Sequence, residues 1–249
     1  MMVLGAIIQA RMNSTRLPGK TLMQIDSHGN MLDYVIKQSS DSKIIQKVII
    51  ATTTLENDTP IVNHLKKFNV EVFRGDPENV LSRYYYCALK FKIDPIVRIT
   101  ADCPLIEPSI IDKVIEKFQT GEYDYVSNNK PRTFPYGMDV EIFSFKTLEI
   151  AWKNSKLNSE KEHVTPFIYK NPNKFNIGHL TNSLDISDIR ITVDRENDIN
   201  LIREIAKKIK NRPIRLENIV ELKKIFPNIF MINQNYVADE GYIKSLEND

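Results

Sequence analysis

The sequence predicts an α/β fold with a mostly parallel central sheet flanked by helices. Two observations carry that prediction. Short apolar runs rich in branched residues, at residues 3–8, Lys47–Thr53 and residues 95–100, are too short for a helix to be preferred and read as buried strands. Amphipathic segments of helical spacing lie between them, and such alternation implies right-handed crossovers joining parallel strands.

Residues 3–8, VLGAII, form the first strand, and its carboxyl end runs into the most unusual stretch of the chain. Gln9-Ala10-Arg11 leads into a small polar segment holding Arg11, Arg16 and Lys20, bent by Pro18-Gly19 just before the lysine. These three cations share one loop with several free backbone N–H groups, at the end of a central strand, where open α/β sheets bind ligands. Such a loop suits a polyphosphate. A solvated basic turn is the alternative, but solubility alone does not call for two arginines, a lysine and a Pro-Gly bend at fixed offsets. The segment is not a dinucleotide fingerprint, since no G-x-G-x-x-G follows the strand, and not a Walker loop, since no G-x-x-x-x-G-K-[ST] occurs.

Residues 31–39 follow as a helix, with Leu32, Val35 and Ile36 at helical spacing, and Lys47–Thr53 is the second strand. A polar loop at 55–60, a helix at 61–68, a third short strand at 70–73, a helix at 80–90 and a fourth strand at 95–100 complete the alternation. Directly after the fourth strand, Asp102 presents a carboxylate to the same crevice as the first loop. It reads either as a turn former near Pro104 or as a magnesium ligand, and a neighbouring phosphate site favours the metal. Pro108 opens the next helix.

The pattern then changes. Residues 123–129 read as a strand running into a polar loop, and residues 138–145 as a half-buried strand with Val140, Ile142 and Phe145 set against Asp139, Glu141 and Ser144. A helix starts at 147–152. The SEKEHVTPFIY stretch carries Glu160, Glu162 and His163, but neither H-E-x-x-H nor a second histidine in phase is present, so His163 takes a substrate-contact or packing role. Residues 175–181 and 188–193 (DIRITV) read as strands, the latter ending at Asp194, which repeats the arrangement of Asp102, with capping as the alternative for both. Residues 199–208 form a helix capped by Asn197 or Asp198, and 216–226 a last amphipathic helix stopped by Pro227. The polar tail to Asp249 suggests no role.

Composition bounds the reading. Of 249 residues, 42% are hydrophobic and 27% charged, as in ordinary globular chains, and 34 basic against 32 acidic residues leave a net charge of +2, which excludes a large nucleic-acid footprint. Cys87 and Cys103 are the only cysteines, so neither a disulfide framework nor a Cys-rich zinc site is indicated, and a reducing compartment fits. The first residues lack a basic leader and Arg11 closes the apolar run too early for a signal peptide or membrane span, so a cytoplasmic protein is expected. No linker or repeat divides residues 1–249, which read as one domain.

Arg11-Met12-Asn13-Ser14-Thr15-Arg16-Leu17-Pro18-Gly19-Lys20 resembles the signature loop of the cytidylyltransferases that activate acidic sugars, the CMP-Kdo and CMP-sialate synthetase superfamily, in wording closest to its spore-coat polysaccharide biosynthesis protein F branch. Ala101-Asp102-Cys103-Pro104-Leu105-Ile106 resembles the superfamily's G-D-x-P-L-I segment, with alanine for glycine. Asp194 resembles the aspartate of a late D-x-x-x-D segment, and Lys161-Glu162-His163-Val164-Thr165 the branch's R-E-H-V-T, with lysine for arginine.

The resemblance implies a Rossmann-like nucleotidyltransferase (GT-A-like) fold, with residues 123–182 as an acceptor-side and dimerisation extension. It implies transfer of CMP from CTP to an acidic sugar or related acceptor by a homodimer without nucleic-acid or membrane partners. Ala10, Arg11, Ser14, Arg16 and Lys20 would hold the nucleotide, and Asp102 and Asp194 would bind Mg2+. Arg74 and Asn79, after the third strand, would read the base, while Asp139, Glu141 and His163 would face the acceptor. Arg11, Lys20, Asp102 and Asp194 are the expected catalytic set.

Overall fold

The computed structural model describes residues 2–237 and 239–249. In chain order the regular elements are β1 (Val3–Gln9), β2 (Gln24–Asp26), β3 (Gly29–Asn30), α1 (Met31–Ser40), β4 (Lys47–Thr53), α2 (Thr59–Leu65), β5 (Glu71–Gly75), α3 (Val80–Phe91) and β6 (Ile93–Thr100). There follow α4 (Pro108–Gln119), β7 (Tyr125–Ser127), β8 (Glu141–Phe143), α5 (Phe145–Asn154), α6 (Asn158–His163), α7 (Pro166–Tyr169), β9 (Ile177–His179), α8 (Glu196–Lys208), α9 (Leu216–Ile225) and α10 (Glu240–Leu246).

The main sheet has seven strands in the order β5-β4-β1-β6-β8-β7-β9. All pairings are parallel except those of β8 with β6 and with β7, so β8 alone runs against the rest. β1 is apolar on both faces because both are covered: Leu4, Ala6 and Ile8 join the core with α1, α4 and α8, while Ile7 packs with α3 and α5 on the other side. Each such isoleucine or leucine, fully buried, contributes roughly 1.5–3 kcal/mol. Among the described residues no helix is long and apolar enough to cross a membrane.

Strand order fixes where a ligand can sit. From β1 the chain moves outward to β4 and β5, then returns to place β6 on the other side of β1. The crevice beyond the carboxyl ends of β1 and β6 is therefore the switch point of the sheet. Ala101 N donates to Gln9 O at 3.0 Å and Ala10 N to Ala51 O at 3.1 Å, so the first loop and the Asp102 loop leave the sheet side by side.

Three expectations are corrected. Residues 188–193 do not join the sheet: Ile191 N and Thr192 N both donate to Tyr136 O, Val193 N donates to Asp102 O, and Arg190 makes only an isolated bridge with Tyr136. The segment is extended and apolar, as read, but its backbone partners are loops. The strand expected at 138–145 is confined to Glu141–Phe143. Asp198 is not the residue before α8 but its third helical position, where its carboxylate accepts from Asp194 N at 2.8 Å and Arg195 N at 2.9 Å. Residues 123–182 contribute β7, β8 and β9 to the main sheet itself.

Candidate active site

The first loop is held closed by its own backbone. Gly19 N donates to Met12 O, Thr21 Oγ1 to Arg11 O, and Leu17 N to Ser14 Oγ, while Met12 N is fixed from outside by the buried Asp58 at 2.7 Å. Gly19 lies at φ 75°, a left-handed turn that favours glycine and points Lys20 inward. The result is a cleft of about 440 Å³ at the switch point, lined by Gln9, Ala10, Arg11, Ser14, Arg16 and Lys20 on one side.

Lys20 is the hub. Its side chain is only 12% exposed, and Nζ lies 3.3 Å from Asp102 Oδ2, 3.0 Å from Asp194 Oδ1 and 2.6 Å from Val193 O. The two carboxylates predicted from separate strand ends thus meet on one cation. Burial alone would lower the Lys20 pKa, but the two aspartates outweigh it and raise it. Burial likewise pushes the Asp194 carboxyl up, yet Lys20 and Arg16 outweigh that and hold it well below the usual carboxylate range. Arg16 reaches Asp194 Oδ1 at 2.7 Å and Glu240 at 3.5 Å. Arg11, nearly half exposed, lies 3.7 Å from Glu162 and is only loosely engaged.

The donor set fits a hard divalent cation. Asp102 and Asp194 offer carboxylate oxygens, whereas among the described residues no group of three or more His, Cys, Asp or Glu side chains converges. Protein ligands alone therefore do not complete a shell. A magnesium ion held by these two residues needs phosphate oxygens and water for the rest, consistent with its usual preference.

Not every predicted residue reaches the cleft. The Arg74 guanidinium donates to Thr53 O and Leu55 O, tying down the turn after β4, and Asn79 caps α3 by accepting from Ser82 N at 2.8 Å. Neither lines the cleft, because these structural bonds use their polar groups. Asp139, Glu141 and His163 do line it. Arg132 grips Asp139 through both terminal nitrogens, at 2.5 and 2.9 Å. Glu141, 3% exposed, accepts from Tyr125 OH, Thr165 Oγ1 and Arg98, so its oxygens are committed within the protein. His163 Nε2 is buried without a partner, and burial, followed by the Arg98 charge, pushes its pKa down to about 4.

Four features were missed. Arg190 clamps Asp194 and Asp198, Asp58 anchors the first loop, Arg98 lies on the cleft floor, and residues 239–249 fold across the cleft through Gly241, Tyr242 and Lys244. A sequence signal existed for two of them. Arg98-Ile99-Thr100-Ala101-Asp102 and Arg190-Ile191-Thr192-Val193-Asp194 are the same R-I-T-x-D pattern, each placing a charge inside an apolar run just before a site aspartate.

A mostly parallel sheet with cations and acids gathered at its switch point defines an α/β nucleotidyltransferase. The cytidylyltransferase family profile matches residues 5–240, and the chain belongs to that family. It is 36% identical over 244 residues to the uncharacterized protein MJ1063 of Methanocaldococcus jannaschii, covering 97% of this chain and 98% of that one. It is 32% identical over 216 residues to the spore coat polysaccharide biosynthesis protein SpsF of Bacillus subtilis, covering 83% and 88%. A cytidylyltransferase structure from Leptospira borgpetersenii superposes with a TM-score of 0.88 at 33% identity, covering 95% of this chain and 99% of that one.

Proposed function

We propose that this enzyme transfers CMP from CTP to an acidic sugar or related acceptor, releasing pyrophosphate, in the biosynthesis of a surface polysaccharide or glycan. One observation carries the reading: Arg16, Lys20, Asp102 and Asp194 meet within a single hydrogen-bonded cluster at the switch point. Displacement at phosphorus asks the protein mainly to position reactants and neutralise charge. Arg11, Arg16 and Lys20 bind the triphosphate and stabilise the leaving pyrophosphate, with Ala10 and Ser14 shaping the loop around it. Asp102 and Asp194 hold Mg2+, which when bound polarises the α-phosphate and favours the attacking hydroxyl.

The bonds from Lys20 and Arg16 to Asp194 keep the cluster compact until phosphate oxygens take over those cations. Asp139 and His163 face the acceptor, within the 123–182 extension of a one-domain protein. A cytoplasmic setting supplies CTP and agrees with two buried free thiols, Cys87 and Cys103. The polysaccharide assignment is supported by the likeness to SpsF. A homodimer is expected, and light scattering measures it.

Pyrophosphate release with each nucleoside triphosphate, magnesium and a panel of acidic sugars tests the reading. CTP-dependent release with at least one acid is the expected result. Turnover with UTP or GTP but not CTP rejects the base, and release only with sugar phosphates rejects the acceptor class. Nucleotide binding without release for any acceptor identifies a silent nucleotide-binding subunit instead.

A further inference from the structure

The two R-I-T-x-D arginines occupy matching sequence positions but are used differently. Arg190 is spent: Nε donates to Asp198 Oδ1 at 3.1 Å, and Nη2 to Asp198 Oδ2 and Asp194 Oδ2. Arg98 donates to the protein only from Nη1, to Glu141 Oε2, and its Nε has no partner. Its side chain is 13% exposed and lies on the cleft floor. A guanidinium has five N–H donors in a fixed fork, and leaving most of them without acceptors in a largely dry site is costly unless a ligand supplies them.

Nε is shut off from the cleft, whereas Nη2 has no partner among the described residues and can donate a charge-assisted hydrogen bond to a carboxylate oxygen. It is also held in place. Glu141 is fixed by the hydroxyls of Tyr125 at 2.5 Å and Thr165 at 2.6 Å, and therefore fixes the guanidinium in turn. Arg132, which also lines the cleft, has both terminal nitrogens committed to Asp139, and Arg83 gives Nη1 to Asp76 O. Arg98 and Thr100 point to one face of β6, and both line the cleft that Asp102 borders.

We propose that Arg98, oriented by Glu141, is the residue that binds the acceptor's carboxylate and so sets the preference for acidic over neutral sugars. This assignment rests on the cytidylyl-transfer reading, and it makes Glu141 a positioning residue rather than an acceptor contact. His163 borders the same floor.

The test compares sugar acids with their methyl esters. Calorimetry on the full-length enzyme with CMP present measures binding of Kdo, N-acetylneuraminate and glucuronate, each beside its ester. At least one acid is expected to bind tenfold or more tighter than its ester. Arg98→Gln should abolish that preference, bringing acid and ester affinities to within about twofold of each other, and Arg98→Lys should restore only part of it. Because removing one partner leaves Glu141 buried and unpaired, R98Q/E141Q, which removes both charges together, is measured alongside and should also lose the preference. Equal binding of acids and esters by the wild type overturns the proposal, as does a preference that survives R98Q or the double variant. Arg98-dependent acid binding without pyrophosphate release from CTP would reject the transfer reading and leave this one standing. Release with an acid preference indifferent to Arg98 would do the reverse.

Discussion

Lys20 shows how much chemistry one side chain can organise. Its ammonium is shared by Asp102, Asp194 and the Val193 carbonyl, yet Asp194 also keeps Arg16 and Arg190. Lys20→Met should therefore fold, because Asp194 remains compensated, but lose the cation proposed to meet the triphosphate. Turnover is expected to fall by about 10²–10³-fold, the usual effect of removing one preorganised charge donor. Pyrophosphate-release kinetics alongside a thermal melt separate the two effects. His163 makes a different prediction. Its folded pKa of about 4 lies below the unfolded value of about 6.5 because burial, and then the Arg98 charge, disfavour the imidazolium. At pH 7 both states are neutral and nothing is contributed. As pH falls below about 6.5 the unfolded chain takes up a proton that the folded chain refuses, so stability drops until about pH 4 and then levels. At about 1.4 kcal/mol per pH unit, the loss is at most roughly 3.5 kcal/mol. Denaturant unfolding at pH 7.5 and pH 4.5 should show a smaller acid loss for His163→Gln than for the wild type. Parallel losses would mean that His163 titrates normally.

At the scale of elements, the segment 188–193 decides whether the two aspartates meet. It lies against the turn at Gly137, whose φ is 109° and where an added Cβ would sit 2.4 Å from Thr192 N and 2.7 Å from Ile191 C. Those are backbone atoms and cannot step aside. Gly137→Ala should cost at least about 2 kcal/mol through strain and displaced backbone. It should also lower turnover by moving Asp194 off Lys20, which denaturant midpoints and initial rates would register together. A variant as stable and active as the wild type would show that this close approach is unimportant. The same segment marks the limit of what the sequence reveals. β1, β4 and β6 were legible because strands buried on both faces leave short apolar runs, broken in β6 only by Arg98 within residues 95–100. DIRITV carries that same signature, but pairing with a loop and pairing with a strand bury the same side chains, so periodicity could not tell them apart. Local motifs likewise exposed Arg11, Arg16, Lys20 and Asp102, whose spacing is fixed within one loop or strand end. Arg74 and Asn79 were misplaced because their side chains satisfy backbone groups of neighbouring turns, a demand visible only after folding. Asp58 escaped notice, and Asp198 was read only as a helix cap, for the same reason: each bonds N–H groups presented by the fold.

For the molecule as a whole, the last stretch of chain is the part least predicted by composition and most exposed to test. Residues 241–249 lie beyond the family match, yet they close one side of the cleft. They are tied at both ends by polar bonds. Glu240 pairs with Arg16 and Arg195, and Asp249 accepts from Ser159 N at 2.7 Å and Ser159 Oγ at 2.5 Å, pinning the tail to α6 and hence near His163. Between those ties little apolar surface is hidden: in α10 only Ser245 is buried, while Ile243 and Leu246 are exposed. An element held by polar bonds with so little core contact opens locally at low cost, so its removal should not unfold the sheet. Deleting residues 240–249 is expected to lower the melting temperature by no more than a few degrees, on the order of 1 kcal/mol. The effect on function should be lopsided. Losing Glu240 frees Arg16 from a competing carboxylate, so CTP affinity is maintained or improved, whereas losing Tyr242 opens the wall beside His163 and should raise the acceptor KM about tenfold, the equivalent of one lost contact of roughly 1.4 kcal/mol. Glu240→Gln alone separates the two effects, since it relieves Arg16 while keeping the wall. If deletion instead weakened CTP and acceptor equally, the tail would be a general support of the cleft rather than a wall on the proposed acceptor side.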